Sequence, residues 1–172
     1  MIADNISRIR ERVQAAARRA GRDLNEITLM AVSKTFPASA IREAYDAGLR
    51  VFGENRVQEF AGKASDLRDL KDADFRLIGH LQSNKAAKAV ELFNAVDSID
   101  SLRLASKLNA SAKDFGKILD VLLEVNVGNE AAKAGLPADL SGPEWTNLLQ
   151  ELPSFTNLHV RGVMCIPPHT ED

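Results

Sequence analysis

The stretch ITLMAVSKTFP, residues 27–37, decides the fold. Ile27 to Ser33 is a short run rich in large aliphatic and β-branched side chains, closed off by Pro37, and it reads as a strand. An open doubly wound sheet would follow its first strand with a Gly-rich phosphate turn. This run ends instead in Ser33, Lys34 and Thr35. A (β/α) barrel, by contrast, places its working residues at the C-terminal ends of several strands.

Reading outward, further apolar runs fall at 49–53, 75–79, 93–97, 118–127 and 158–164, with helix-like segments at about 38–47, 55–70, 84–92, 101–111 and 143–151. Alternating strand and helix implies an α/β protein with parallel strands. Several runs are nearly continuous in Val, Ile and Leu, as expected of strands covered on both faces. Upstream, Ile2, Ile6, Ile9, Val13, Ala16, Ala17 and Ala20 recur at helical spacing before Gly21, so residues 2–20 read as an amphipathic helix with its arginines mostly on the wet face. Six strands are legible, against the eight and ~250 residues of a closed barrel. Residues 128–143, rich in Gly, Pro and Ser, read as a loop after the fifth strand.

The chain has 172 residues, 45% of them hydrophobic and 27% charged, enough for one globular domain with a sizeable core. Its 22 basic and 24 acidic residues leave a net charge of -2, which offers no field for nucleic acid or an anionic membrane. No apolar run reaches the ~18 residues a membrane span needs. The N-terminus lacks the apolar centre of a signal peptide, and a cytoplasmic protein is expected. Cys165, the only cysteine, excludes an internal disulfide and reads as a small core residue.

Polar groups gather at the strand ends: Ser33, Lys34 and Thr35; Gly53, Glu54 and Asn55; Gly79 and His80; Asp97 and Ser98; Asn126; Met164 and Cys165. Strands leaving any sheet must meet water, so each position alone has an ordinary explanation. Lys34, Asn55 and His80 together on one barrel face point to a site. A lysine emerging into a partly apolar mouth is desolvated, which favours the neutral amine that attacks a carbonyl and forms a Schiff base. The bland alternative is a lysine whose stem covers the rim while its ammonium sits in water. His80 suits either stacking on a planar ring or a second-layer role. His159 and His169 lack partners at metal spacing, no serine sits in a G-x-S-x-G elbow, and QSNK at 82–85 reads as a helix cap.

AVSKT, the GEN and VQE of residues 53–59, IGHLQSNK at 78–85, LLEVNVGNEAAKAG at 122–135 and LHVRGVMCIP at 158–167 together resemble the pyridoxal phosphate homeostasis protein family over essentially the whole chain. The resemblance implies an α/β fold like the TIM-type barrel of alanine racemase, here six of eight strands, forming a single domain over residues 1–172. It further implies pyridoxal 5'-phosphate held as a Schiff base on Lys34, with Asn55 beside the cofactor, His80 and Met164 lining its ring, and Lys133 taking part in cofactor exchange. Lys133 read alone is a solvated loop lysine.

Family members resemble single-domain cofactor carriers in vitamin B6 homeostasis, with pyridoxal phosphate-dependent apoenzymes as recipients and no established turnover. The family's phosphate-binding blocks, on two further strands, lie beyond Asp172, so the chain is expected to lack the last two β/α units. A full-length form would be a monomer, and a fragment would associate through its open strand edges. Two other readings stand beside the carrier. One is a pyridoxal phosphate-dependent amino-acid racemase or decarboxylase, which for racemisation needs a base on each substrate face. The other is a cofactor-independent interaction module built on the N-terminal helix.

Overall fold

A computed structural model describes residues 1–130 and 133–168, so Ala131, Ala132 and His169 lie outside the described residues. Helix α1 spans Ile2–Ala20 and stops where Gly21 takes a left-handed conformation at φ 64°. Arg10 leaves the wet face expected of it: its guanidinium donates to the carbonyls of Ala47 and Gly48, satisfying the end of the next helix.

The strands are β1 (Met30–Val32), β2 (Val51–Glu54), β3 (Asp74–Leu77), β4 (Ala95–Ile99), β5 (Leu119–Asn126), β6 (Leu136–Pro137) and β7 (Leu158–Cys165). Between them lie α2 (Ala38–Asp46), α3 (Val57–Ala61), α4 (Ala86–Leu92), α5 (Leu102–Asp114) and α6 (Pro143–Glu151). Every pairing is parallel, in the order β1-β2-β3-β4-β5, with β7 beside β5. Each strand therefore delivers its C-terminal end to the same side of the sheet, which is what makes a shared mouth.

The β5 pattern shows how the sheet divides. Leu119, Val121 and Leu123 are buried in the core under the helices, while Asp120, Leu122, Glu124 and Asn126 are only partly buried on the concave side. That period of two follows from the pleat. The core side is held by a chain of rings, Phe52 on Phe75 at 5.5 Å, Phe75 on Phe60 at 4.8 Å and Phe60 on Phe93 at 4.8 Å. Burying each such ring is worth roughly 1.5–3 kcal/mol. The concave side mixes apolar side chains with polar ones, among them Arg76, which grips Asp97 through two bonds of 2.9 and 2.7 Å. β4, buried along its whole length, meets the expectation of cover on both faces, whereas β5 and β7 do not.

Four further expectations are corrected. The helix expected over 55–70 breaks into α3 and a 3-10 turn at Ala64–Leu67, with Gly62 as the cap of α3. QSNK forms a 3-10 turn at Ser83–Lys85 without a side-chain cap, and the capping hydroxyl belongs to Ser101, which accepts from Leu104 N–H at the start of α5. The loop at 128–143 contains β6, which continues along β5 past the end of β4. Trp145 fixes α6 to this strand by donating to the Pro137 carbonyl at 2.7 Å. Cys165 is exposed rather than in the core, because β7 pairs only with β5 among the described residues and most of its side chains face solvent. Among the described residues β1 likewise pairs only with β2, so these strands by themselves do not close a barrel. No described helix is long and apolar enough to cross a membrane.

Candidate functional site

The strand ends enclose a cavity of about 630 Å³. Lys34, Asn55, His80, Lys133 and Met164 all line it, the first four from four different connections and Met164 from β7. Its floor and sides are Met30, Val32, Ile78, Leu122, Val125 and Ile166, with Asp97, Glu124 and Asn126 as further polar groups.

Lys34 is the second residue of a turn, Ser33 to Phe36, closed by Phe36 N–H donating to the Ser33 carbonyl at 3.1 Å. Thr35 in that turn has φ 66°. Lys34 is exposed, so the mouth does not supply the dryness expected of this amine. The physical reason is that among the described residues no strand pairs with the free edge of β1, which leaves that flank of the cavity uncovered.

Asn55 and His80 are brought together by Gly79. A Cβ at that position would lie 2.4 Å from the Asn55 carbonyl oxygen and 2.9 Å from its Cα, so only glycine lets the two strand exits touch. One layer deeper, a Cβ at Gly53 would meet the side-chain ends of Met30 and Ile78 at 2.7 and 2.8 Å, so there the close neighbours are side chains rather than backbone. His80 is tethered through Nδ1 to Asp100 Oδ2 at 3.0 Å, which orients the ring and leaves Nε2 for another partner.

Lys133 reaches the cavity because Asn126 organises its loop. The Asn126 side chain donates to the carbonyls of Glu130 and Lys133 at 2.9 and 3.3 Å and accepts from Glu130 N–H at 3.2 Å. The Lys133 ammonium pairs with Glu130 at 2.7 Å. Gly135, at φ 120°, passes so close to β5 that a Cβ would sit 2.8 Å from the Asn126 nitrogen.

Glu124 escaped the sequence reading, although its place between Leu122 and Asn126 on the period of two carried the signal. Its Oε2 is buried with no hydrogen-bond partner among the described residues. Burial pushes this carboxyl above its ordinary range, the Asp100 carboxylate adds to the rise, and His80 opposes it. Arg76 and Asp97 were likewise not expected as a pair. The two Asp97 bonds, and then Asp74, hold the Arg76 guanidinium charged. Among the described residues no group of three His, Cys, Asp or Glu side chains could hold a metal.

The alanine racemase N-terminal domain family matches residues 5–172. The pyridoxal phosphate homeostasis protein of Pseudomonas aeruginosa is 44% identical over 172 residues, covering 99% of this chain and 72% of that protein. The chain belongs to the pyridoxal phosphate homeostasis protein family. Among solved structures, an unknown protein from Bifidobacterium adolescentis superposes with a TM-score of 0.89 at 33% identity, over 99% of this chain and 71% of that one. PipY of Synechococcus elongatus, solved with pyridoxal phosphate bound, has a TM-score of 0.78 at 38% identity, over 98% and 71%. The fold is thus alanine racemase-like, a parallel (β/α) sheet curved about a mouth.

Proposed function

We propose that this chain binds pyridoxal 5'-phosphate through Lys34 and serves as a carrier of the cofactor rather than a catalyst, the whole described chain acting as one binding unit. The observation that carries the reading is that Lys34, Asn55, His80, Met164 and Lys133 share one cavity. Family membership and the ligand of PipY support it.

The residues present suit the ring and the aldehyde of the group. A planar heteroaromatic ring needs apolar walls and a few fixed polar atoms; Val32, Ile78, Leu122 and Ile166 give the walls, Asn55 and His80 the polar atoms. When bound, pyridoxal phosphate supplies an aldehyde that condenses with a neutral amine. Lys34 is the amine at the strand exit, and being exposed it can exchange its proton directly with water. His80, oriented by Asp100, and the flexible thioether of Met164 would flank the ring. Lys133 stands across the mouth as a second amine, charge-matched by Glu130, which suits reversible transfer. Delivery to pyridoxal phosphate-dependent apoenzymes is part of this proposal.

The racemase alternative is weaker. Tyr45, the only tyrosine, lies on α2 outside the cavity, with its hydroxyl on Asp72 and Arg50 stacked 4.1 Å over its ring. It cannot serve as a base on the second face of a substrate in the mouth. The test is a spectral titration with pyridoxal phosphate. The wild type should develop a visible absorption band and Lys34→Ala should not; an undiminished band in the variant refutes the reading.

A further inference from the structure

The turn that carries Lys34 is poorly suited to hold its own shape. Its third residue has the positive φ that favours glycine, yet Thr35 stands there, a β-branched side chain in the left-handed region. The turn follows a three-residue strand, Met30–Val32, that has a single neighbour among the described residues, and Lys34, Thr35 and Phe36 are all exposed. Something outside the turn must fix it.

That something lies directly beneath. Lys63, only 8% exposed, sends its ammonium to the carbonyls of Ser33 at 3.1 Å and Phe36 at 2.9 Å, and to Glu54 Oε1 at 2.8 Å. An ammonium has three N–H bonds, and these are three acceptors. Glu54 is fully buried, and its Oε1 also accepts from the Ser33 hydroxyl at 2.6 Å. Glu59 completes the set: it accepts from the Thr35 N–H and lies 3.6 Å from the Lys63 ammonium. The buried ion pair therefore holds Ser33 and Phe36, the two ends of the turn, and Glu59 beside it holds the Thr35 amide. Neither Lys63 nor Glu54 lines the cavity.

We infer that Lys63, neutralised by Glu54, is the positioning residue for Lys34: it grips the two carbonyls at the ends of the turn and so sets where the cofactor-binding amine stands. A buried ion pair is weak evidence of stability, since an apolar pair of similar volume commonly serves as well. Its use here is geometric. Two charged groups are buried where they can hold backbone atoms on either side of one exposed lysine, an arrangement apolar side chains could not reproduce. The inference rests on the reading of Lys34 as the cofactor-holding residue.

The experiment uses the whole chain with pyridoxal phosphate as probe, and compares Lys34→Ala with the charge-balanced double variant Lys63→Met with Glu54→Gln. Three readouts are taken: cofactor affinity from the visible band, the share of borohydride-fixed label on Lys34 against Lys133, and hydrogen exchange at the Thr35 and Phe36 amides. In a folded double variant the affinity should fall about 10- to 100-fold. Label should spread from Lys34 to Lys133, and the Phe36 amide should exchange faster. Glu59→Ala frees the Thr35 amide and removes the carboxylate 3.6 Å from the Lys63 ammonium while leaving Lys63 paired with Glu54, so it decides the matter if the double variant fails to fold: it should accelerate Thr35 exchange and weaken binding several-fold. Unchanged affinity, label distribution and exchange in a folded variant overturn the inference, provided Lys34→Ala abolishes the band. A band that survives Lys34→Ala overturns the functional reading beneath it, and the inference with it.

Discussion

Replacing Gly79 with alanine is the smallest change that should separate the two strand exits forming the site. The added methyl would stand 2.4 Å from the Asn55 carbonyl oxygen, where real contacts keep at least 3.0 Å, and 3.0 Å from the Asn55 carbonyl carbon. The obstacle is backbone, not the end of a flexible side chain, so β2 and β3 must part by at least about 0.6 Å at their ends. Overpacking of this kind costs about 1–3 kcal/mol. For a chain of 172 residues each kilocalorie lowers the melting temperature by roughly 2–4 °C, so a loss of about 2–12 °C is expected. Because Asn55 and His80 move apart, cofactor affinity should drop as well. Thermal unfolding followed by circular dichroism, paired with a spectral titration, measures both. Gly62→Ala is the control, since its methyl would meet nothing closer than 3.5 Å and its backbone is already right-handed helical. If Gly79→Ala melts and binds like Gly62→Ala, the argument from close approach is wrong.

Other outcomes follow from single contacts. A carboxyl whose pKa is raised in the fold keeps its contribution below the ordinary value near 4.5 and loses stability as pH climbs through the raised one; Glu124→Gln should therefore melt like the wild type in acid and above it at neutral and alkaline pH, and a gap that does not widen with pH contradicts the burial argument. Thr35→Gly relieves a left-handed β-branched residue worth roughly 1–2 kcal/mol but frees the unfolded chain by about 0.5–1 kcal/mol. Denaturant unfolding should show a net change between zero and about 1.5 kcal/mol in favour of the variant; a clear loss would count against strain in the turn. Trp145→Phe keeps most of the buried ring but orphans the Pro137 carbonyl, so stability should fall by about 1–3 kcal/mol, with faster amide exchange around Leu136; no change would mean that bond does not anchor β6.

How much of this was legible in the sequence depended on the range of the interaction. α1 and α6 read true to their ends, because Gly21 and Pro143 mark those boundaries locally. Lys34, Asn55 and His80 were visible because a strand's end can be seen in a single run of residues. β6 was not, since two residues between Gly135 and Ala138 carry no periodicity and owe their pairing to the edge β5 offers. The break after Ala61 hid inside a plausible helix, and with it Lys63, whose partners Ser33 and Phe36 lie about 30 residues upstream. Cys165 was misplaced because apolar neighbours suggest burial only where a second strand covers them. The dryness asked of Lys34 failed for the same reason: burial depends on what stands across the mouth, which β1's own sequence does not record.

The central claim concerns one amine, and one measurement addresses it directly. The chain, loaded with pyridoxal phosphate, is reduced with borohydride, digested, and its peptides mapped by mass. Recovery of the pyridoxyl group on Lys34, at close to one per chain, is the predicted result. Label confined to other lysines, with Lys34 unmodified, would contradict the account.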